Sequence, residues 1–418
     1  MTTAYERFLD YANRADPYPL FPELRETPVA RQPDGSYVVS TYREIVALLH
    51  DPRVSSDLRN LPEIANIRIA PDDAAPQLPP EFIRRDPPDH DRLRAMVMKH
   101  FGPPGAPGRV AGMEPRILQI TTELIDRLAD RHRIDIVDDF AYPLPVTVIC
   151  ELLGVPREDE PLFHRWSQIA VGTNDPTTGS LVERNRRRFE TMAQLGRYLD
   201  GLADAHLRAP GDDLLSALVT DDEPARPDVL STAALLLIAG HETTVNLIAN
   251  GMLTLLRHPH VLDRLRREPG YAVKVVEELL RYEPPIHMPG PRRTALADIT
   301  IAGTTIPKGS VIVLVLASGS RDPARFADPD RFDPDRPDNQ HLGFGGGIHY
   351  CFGAPLARLE TRLALGELAR RLSGPRLVTD PPPYRPTPNL RGPEHLLIDV
   401  DGIRAADDPV RPERVLHP

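Results

Sequence analysis

Two cysteines occur in this chain of 418 residues, and their settings differ. Cys351 lies in Phe344-Gly345-Gly346-Gly347-Ile348-His349-Tyr350-Cys351-Phe352-Gly353, a glycine-rich turn leading into a helix predicted from Pro355. Glycines let a backbone approach a large flat ligand closely. Backbone N–H groups at a helix N-terminus favour a thiolate over a thiol. A thiolate so placed is a good axial ligand for haem iron and pushes electron density toward O–O cleavage. Cys150, in Val148-Ile149-Cys150-Glu151-Leu152-Leu153, has no such glycine setting and reads as core packing.

A second group of residues sits in the middle of a long apolar pattern, Ala239-Gly240-His241-Glu242-Thr243-Thr244. Glycine and two threonines weaken a helix, and threonine hydroxyls bond back to carbonyls one turn earlier. A local opening here leaves room for O2 and ordered water beside Leu235-Leu236-Leu237-Ile238. His241 points elsewhere on a helix and reads as packing or surface. A third feature is Glu278-Leu279-Leu280-Arg281. Five Glu-x-x-Arg pairs occur in the chain, but only this one lies in a strongly amphipathic helix followed by strands and then the cysteine turn. Residues three apart share a helix face, so both charges can reach a third group. The run Arg184, Arg186, Arg187, Arg188 has Glu183 and Glu190 beside it and reads as a solvated helix face.

The elements that must position these residues are mostly helical by periodicity. Helices are predicted at 41–50, 90–101, 115–130, 144–153, 158–171, 181–208, 271–282 and 355–372. The longest is predicted from an N-cap at Asp228 to Arg257, a span of ~45 Å at ~1.5 Å per residue. Strand signals are short: Ser36 to Ser40, Ile299 to Ile301, Val311 to Leu316 and others within 376–400. The irregular stretches 58–82 and 321–350 are long enough to expect function in them. The expected architecture is a mainly helical body with a small β-rich lobe, in one domain over 1–404 with a polar tail at 405–418.

Composition narrows the classes. A net charge of −10 and a pI near 5.8 argue against nucleic acid as a partner. Two cysteines exclude a disulfide framework. Met1 to Asp10 lacks a signal-peptide core, and no run of ~18 uninterrupted apolar residues is present, so a cytoplasmic chain without a membrane span is expected. Proline is abundant at 47 residues, and it punctuates many elements without forming one disordered tract. Of the 50 basic residues only Lys99, Lys274 and Lys308 are lysine, a bias that reads as drift in a GC-rich bacterium.

From about residue 20 to 400 the chain resembles the cytochrome P450s, haem-thiolate monooxygenases of the soluble bacterial type. The resemblance rests on the Phe344–Gly353 turn, the Ala239–Thr244 run and the Glu278/Arg281 pair. It implies the mainly α P450 fold with its small β lobe, and haem b (iron protoporphyrin IX) with Cys351 as axial iron ligand. Phe344 and Gly353 are fixed positions of the cysteine pattern, and Ala239 and Gly240 would lie against the haem. The family's acid–alcohol pair maps onto Glu242, relaying protons from solvent, and Thr243, holding dioxygen and its water. Two propionates on a buried haem need cationic partners. His90 and Arg94, four apart on one predicted helix face, suit that role, and the resemblance adds Arg293 and His349. Glu278 and Arg281 would form a structural ion network with Arg331 in Pro329-Asp330-Arg331-Phe332. Substrate-lining positions would be Leu235, Ile238 and Ala239 above the haem, Met288 and Pro289 after the 271–282 helix, and Leu396 in a late β turn.

The activity implied is O2-dependent hydroxylation or epoxidation of a bulky hydrophobic molecule. With no flavin or nicotinamide segment in the chain, electrons would come from a ferredoxin and a ferredoxin reductase. Arg358 and Arg362, with Arg94, would offer the donor a basic patch. A haem-thiolate peroxygenase or coupling enzyme is the alternative, and it would not need the acid–alcohol pair. A haem sensor or electron carrier would not need a roofed cavity. Two departures from the family pattern stand out: Phe352 after the cysteine, where smaller aliphatic residues are common, and the Gly/Pro-rich linker 102–108.

Overall fold

The computed structural model describes residues 2–62, 78–102, 106–172, 179–221, 224–290 and 292–406. The middle of the 58–82 stretch, part of the 102–108 linker, the turn at 173–176 and nearly all of the tail lie outside the described residues.

Nine helices carry the argument: α1 (Tyr42–Leu49), α2 (Asp89–Phe101), α3 (Glu114–Asp126), α4 (Pro143–Leu153), α5 (Glu160–Gly172), α6 (Leu181–Arg208), α7 (Arg226–Arg257), α8 (Ala272–Tyr282) and α9 (Ala354–Arg371). Local chemistry sets several of their ends. Ser180 and Glu183 form a reciprocal capping box that starts α6. Gly154, in the left-handed region at φ 69°, ends α4. α7 begins two residues before the expected cap, with Pro227 in its first turn. Asp228 lies inside that turn and pairs with Arg92 at 2.9 Å. The helix Pro259–Arg267 is an element that sequence reading did not register, although Val261, Leu262 and Leu265 form its buried stripe.

α7 is the axis of the molecule. It is long and apolar enough to cross a membrane, but 78% of its most apolar window is buried inside the protein, so it is a core helix. α4 crosses it at Gly240, where an added Cβ would lie 3.2 Å from Ile149 Cδ1. α9 and α8 pack on its C-terminal half. Cys150 is fully buried in α4, and burial pushes its thiol up to about 12.

The largest sheet has five strands in the order β1-β2-β5-β4-β3: β1 (Val29–Arg31), β2 (Tyr37–Val39), β3 (Val54–Ser55), β4 (Arg293–Ala295) and β5 (Val311–Leu314). β2 and β5 run parallel, with Tyr37 opposite Ile312, and the other pairs are antiparallel. β1, β3 and β4 are only two or three residues long. Such strands are too short to show a period of two. β4 matters because it carries Arg293 to the edge of the central cavity.

Candidate active site

Between α7 and the loop before α9 lies a partly open cavity of about 250 Å³. Cys351 is on its wall. The cysteine loop is shaped by backbone chemistry. Gly347 has φ 63°, and a Cβ there would collide with the Leu49 carbonyl oxygen. The Cys351 N–H donates to the Phe344 carbonyl at 3.0 Å, closing the turn. Burial pushes the Cys351 thiol upward, and the N–H groups of Gly353 and Ala354 and the charge of Arg94 oppose it. These donors at the start of α9 point at the sulfur, so a metal ion would complete its ionisation.

The α7 wall of the cavity consists of Leu236, Ala239, Gly240, Thr243, Thr244 and Leu247, one face of a helix at spacings of three and four. Thr243 Oγ1 donates to the Ala239 carbonyl at 2.9 Å and Thr244 Oγ1 to the Gly240 carbonyl at 3.1 Å. Glu242 is off this wall. Its buried carboxylate accepts from Arg385 Nη1 at 3.0 Å and lies 3.3 Å from Ser167 Oγ and 3.4 Å from His241 Nε2. Burial alone would raise the Glu242 carboxyl, but His241, Arg385 and Ser167 outweigh it and hold it at about 2.

Beside the cysteine four nitrogen-bearing side chains converge. The His90 and His349 rings meet edge to face at 4.6 Å. His90 Nδ1 bonds Asp91 at 2.8 Å and His349 Nε2 bonds Ser56 Oγ at 2.8 Å. The remaining nitrogens, His90 Nε2 and His349 Nδ1, are buried without a hydrogen-bond partner. Burial, with Arg293, His90 and Arg94 adding their charge, drives the His349 imidazole down to about 3. Burial likewise pulls Arg293 down to about 10. Positive and orphaned donors gathered around a cavity call for an anion.

Comparison with known proteins agrees with this geometry. The cytochrome P450 family pattern matches residues 200–390. Cytochrome P450 107B1 of Saccharopolyspora erythraea is 38% identical, over 90% of this chain and 92% of its own. The chain belongs to the cytochrome P450 family. The P450 monooxygenase PikC of Streptomyces venezuelae is 41% identical over 90% of this chain and 89% of its own. Among solved structures, the P450 CYP164A2 of Mycobacterium smegmatis superposes with a TM-score of 0.85 at 40% identity, covering 95% of this chain and 99% of that one. The fold class expected from sequence is thus the one observed, and the chain is an oxidoreductase of monooxygenase type.

Membership implies haem with a thiolate ligand, and the residues present fit it. Cys351 would ligate the iron. The orphaned His90 Nε2 and His349 Nδ1, together with Arg293, would take the propionates. Arg94 lies beside them with Nη2 on the Tyr350 carbonyl at 2.9 Å. Phe344, Gly353, Ala239 and Gly240 all line the cavity. Phe352, the unusual neighbour of the cysteine, packs edge-on to Phe82 at 5.3 Å and Phe101 at 5.4 Å and so joins the loop to α2.

Several expected positions are corrected by the structure. Leu235 and Ile238 are not on the cavity wall; Leu236 takes that place, because one residue turns a side chain by about 100°. Met288 faces away into an apolar cluster with Phe8 and Phe21, while Pro289 does line the cavity. Leu396 is fully buried beside the strand Leu397–Asp399, its N–H donating to Asp135, and does not reach the cavity.

In the ion network, Arg281 Nε and Nη2 donate to Glu278 at 2.8 and 2.7 Å, and its guanidinium also bonds the carbonyls of Ser320, Pro329 and Arg331. Arg331 contributes only that carbonyl. Its side chain is 69% exposed, and the guanidinium beside Glu278 is that of Arg336, 3.6 Å away and 9% exposed.

One cavity residue was missed as a functional candidate. Glu360 lines the cavity from α9, is buried, and has no hydrogen-bond partner on Oε2. Burial raises its carboxyl well above the usual carboxylate range, favouring the neutral acid at the cavity wall. The sequence signal was a glutamate on the apolar stripe of Leu356, Leu359, Ala364, Leu365 and Leu368.

Proposed function

We propose that this P450 uses haem b to hydroxylate or epoxidise a bulky hydrophobic small molecule, with electrons from a ferredoxin and its reductase. The observation that carries this reading is the largely apolar cavity walled by both the Cys351 thiol and the Thr243 hydroxyl. Relatives named for hydroxylating 6-deoxyerythronolide B, at 38% identity, and vitamin D(3), also at 38%, support a substrate of that size and polarity. Bound haem would supply the reductive activation of O2. Leu236, Leu247, Ile83, Ile149 and Ile286 exclude water and hold the substrate by its apolar surface. Thr243 holds a proton where oxygen is activated, and Glu242 relays protons from behind the helix.

The test uses 18O2, NAD(P)H and a ferredoxin system on substrates chosen by the ferric spin-state shift. Label should enter the product. Thr243→Ala should keep haem content and substrate binding but yield about ten-fold less product per NAD(P)H, with peroxide released. Turnover that needs added peroxide and incorporates no label would overturn the reading in favour of a peroxygenase.

For the donor, the expected basic patch is altered. Arg358 is held by Glu277 at 2.6 and 3.0 Å and lies 4.5 Å over the Phe344 ring, so it braces the cysteine loop. Arg362 pairs with Glu114 at 2.8 Å in a half-exposed bridge, where little is lost on substitution. Arg362→Glu is therefore the cleaner variant. Reduction by ferredoxin at low salt should slow by about three-fold, converging with the parent as salt rises, while the spin-state shift stays unchanged. Equal rates at all salt concentrations would place the donor elsewhere.

A further inference from the structure

Behind the cavity wall, α5 and α7 bring three polar side chains together in a buried site. His241 Nδ1 lies 2.8 Å from the Leu237 carbonyl oxygen, which can only accept, so Nδ1 carries the hydrogen. That leaves Nε2 facing Ser167 Oγ, 2.8 Å away. The same hydroxyl is 3.3 Å from Glu242 Oε1. The other carboxylate oxygen, Oε2, accepts from Arg385. The Tyr142 ring stands edge-on to the imidazole at 5.7 Å and helps close the site. His241, read from sequence as packing or surface, is buried, packed against Tyr142 and hydrogen-bonded at both ring nitrogens.

A carboxyl held at about 2 carries no proton of its own at neutral pH. If Glu242 relays protons, it must be loaded by a neighbour that can release one. Arg385 cannot, because a guanidinium does not deprotonate in proteins. A hydroxyl donates and accepts at once, so Ser167 can join an imidazolium to the carboxylate.

We propose that His241 and Ser167 form a buried proton relay that loads Glu242, an inference that rests on the proton-relay reading of Glu242. In the step, the Nε2–H bond of the His241 imidazolium breaks as an O–H bond forms on Ser167. The original Ser167 O–H bond breaks as one forms on Glu242 Oε1. One proton has moved, the imidazole and the carboxyl are both neutral, and a second proton delivered to Nε2 would restore the imidazolium. Ser167 and His241 are positioning residues in this scheme, since neither lines the cavity.

The experiment compares Ser167→Ala, His241→Phe and Glu242→Gln holoenzymes, with the Ser167→Ala/Glu242→Gln double variant. Product per NAD(P)H and the solvent deuterium isotope effect are read in each. 15N NMR of histidine-labelled ferrous carbon monoxide enzyme reports the His241 Nε2 hydrogen bond independently of turnover. Ser167→Ala and His241→Phe should each cut coupled product by about ten-fold and enlarge the isotope effect. The double variant should be no worse than Glu242→Gln alone, and the Nε2 resonance should move in Ser167→Ala. Parental coupling in Ser167→Ala and His241→Phe beside an uncoupled Glu242→Gln overturns the relay and leaves the role of Glu242 standing. An unmoved Nε2 resonance also overturns it. Parental coupling in Glu242→Gln sinks the role of Glu242, and the relay with it.

Discussion

Cys351→Ser is expected to abolish both the red-shifted thiolate-type band of the reduced carbon monoxide complex and all monooxygenase turnover. Most helical content should survive. A neutral hydroxyl is a poor axial donor, so electron push toward O–O cleavage is lost. The surrounding turn does not depend on the sulfur. It is closed by the Cys351 N–H on the Phe344 carbonyl and by the left-handed Gly347, both of which a serine leaves in place. The cysteine's own environment makes the contrast sharp. Burial favours the neutral thiol, and only the Gly353 and Ala354 N–H groups and nearby arginines favour the anion. Reduced carbon monoxide spectra, with circular dichroism on the same samples, give the measurement. An unchanged thiolate-type band in the serine protein would mean that Cys351 is not the ligand.

The second large effect is on stability. Glu278→Gln should destabilise the protein by about 3–5 kcal/mol, because it leaves a buried guanidinium without its counter-charge. Glu278 and Arg281 are both 0% exposed. Glu278 also accepts from the Asp333 N–H at 2.9 Å and from Asn339 Nδ2 at 3.2 Å, tying the loop before the cysteine to α8. Loss of haem on mild urea exposure should accompany the drop. Arg331→Ala supplies the contrast. Its side chain is exposed and its contribution is a backbone carbonyl, so a change within about 0.5 kcal/mol is expected. Arg336→Ala, at the carboxylate itself, should fall between the two. Urea midpoints for the three variants check this order, and a large loss in Arg331→Ala with none in Arg336→Ala would reverse the assignment.

What the sequence reveals and what it hides divide along a physical line. The cysteine turn was legible because its chemistry is contiguous: glycines, a cysteine and a helix start within a dozen residues. The span of α6 was legible because apolar residues recur every three or four positions from Phe189 to Leu202, and Ser180 and Glu183 cap its start. The threonine back-bonds at Thr243 and Thr244 are likewise one-turn interactions, read from residue type alone.

Other features depended on packing between distant segments. Pro-Asp-Arg occurs twice, at 329–331 and 334–336, and nothing local distinguishes the two arginines. The fold of the loop over α8 brings the second to Glu278 and sends the first into solvent. Four consecutive apolar residues, Leu235 to Ile238, left the rotation of α7 open. Its packing against α4 and α9 turned Leu236 toward the cavity. His241 became part of a polar site only because α5, 74 residues earlier in the chain, sets Ser167 against it. Residue type and short-range spacing determined the cofactor chemistry and most of the helices. Tertiary structure decided helix rotation and which charges meet, because both depend on side chains brought together by burial and not by proximity along the chain.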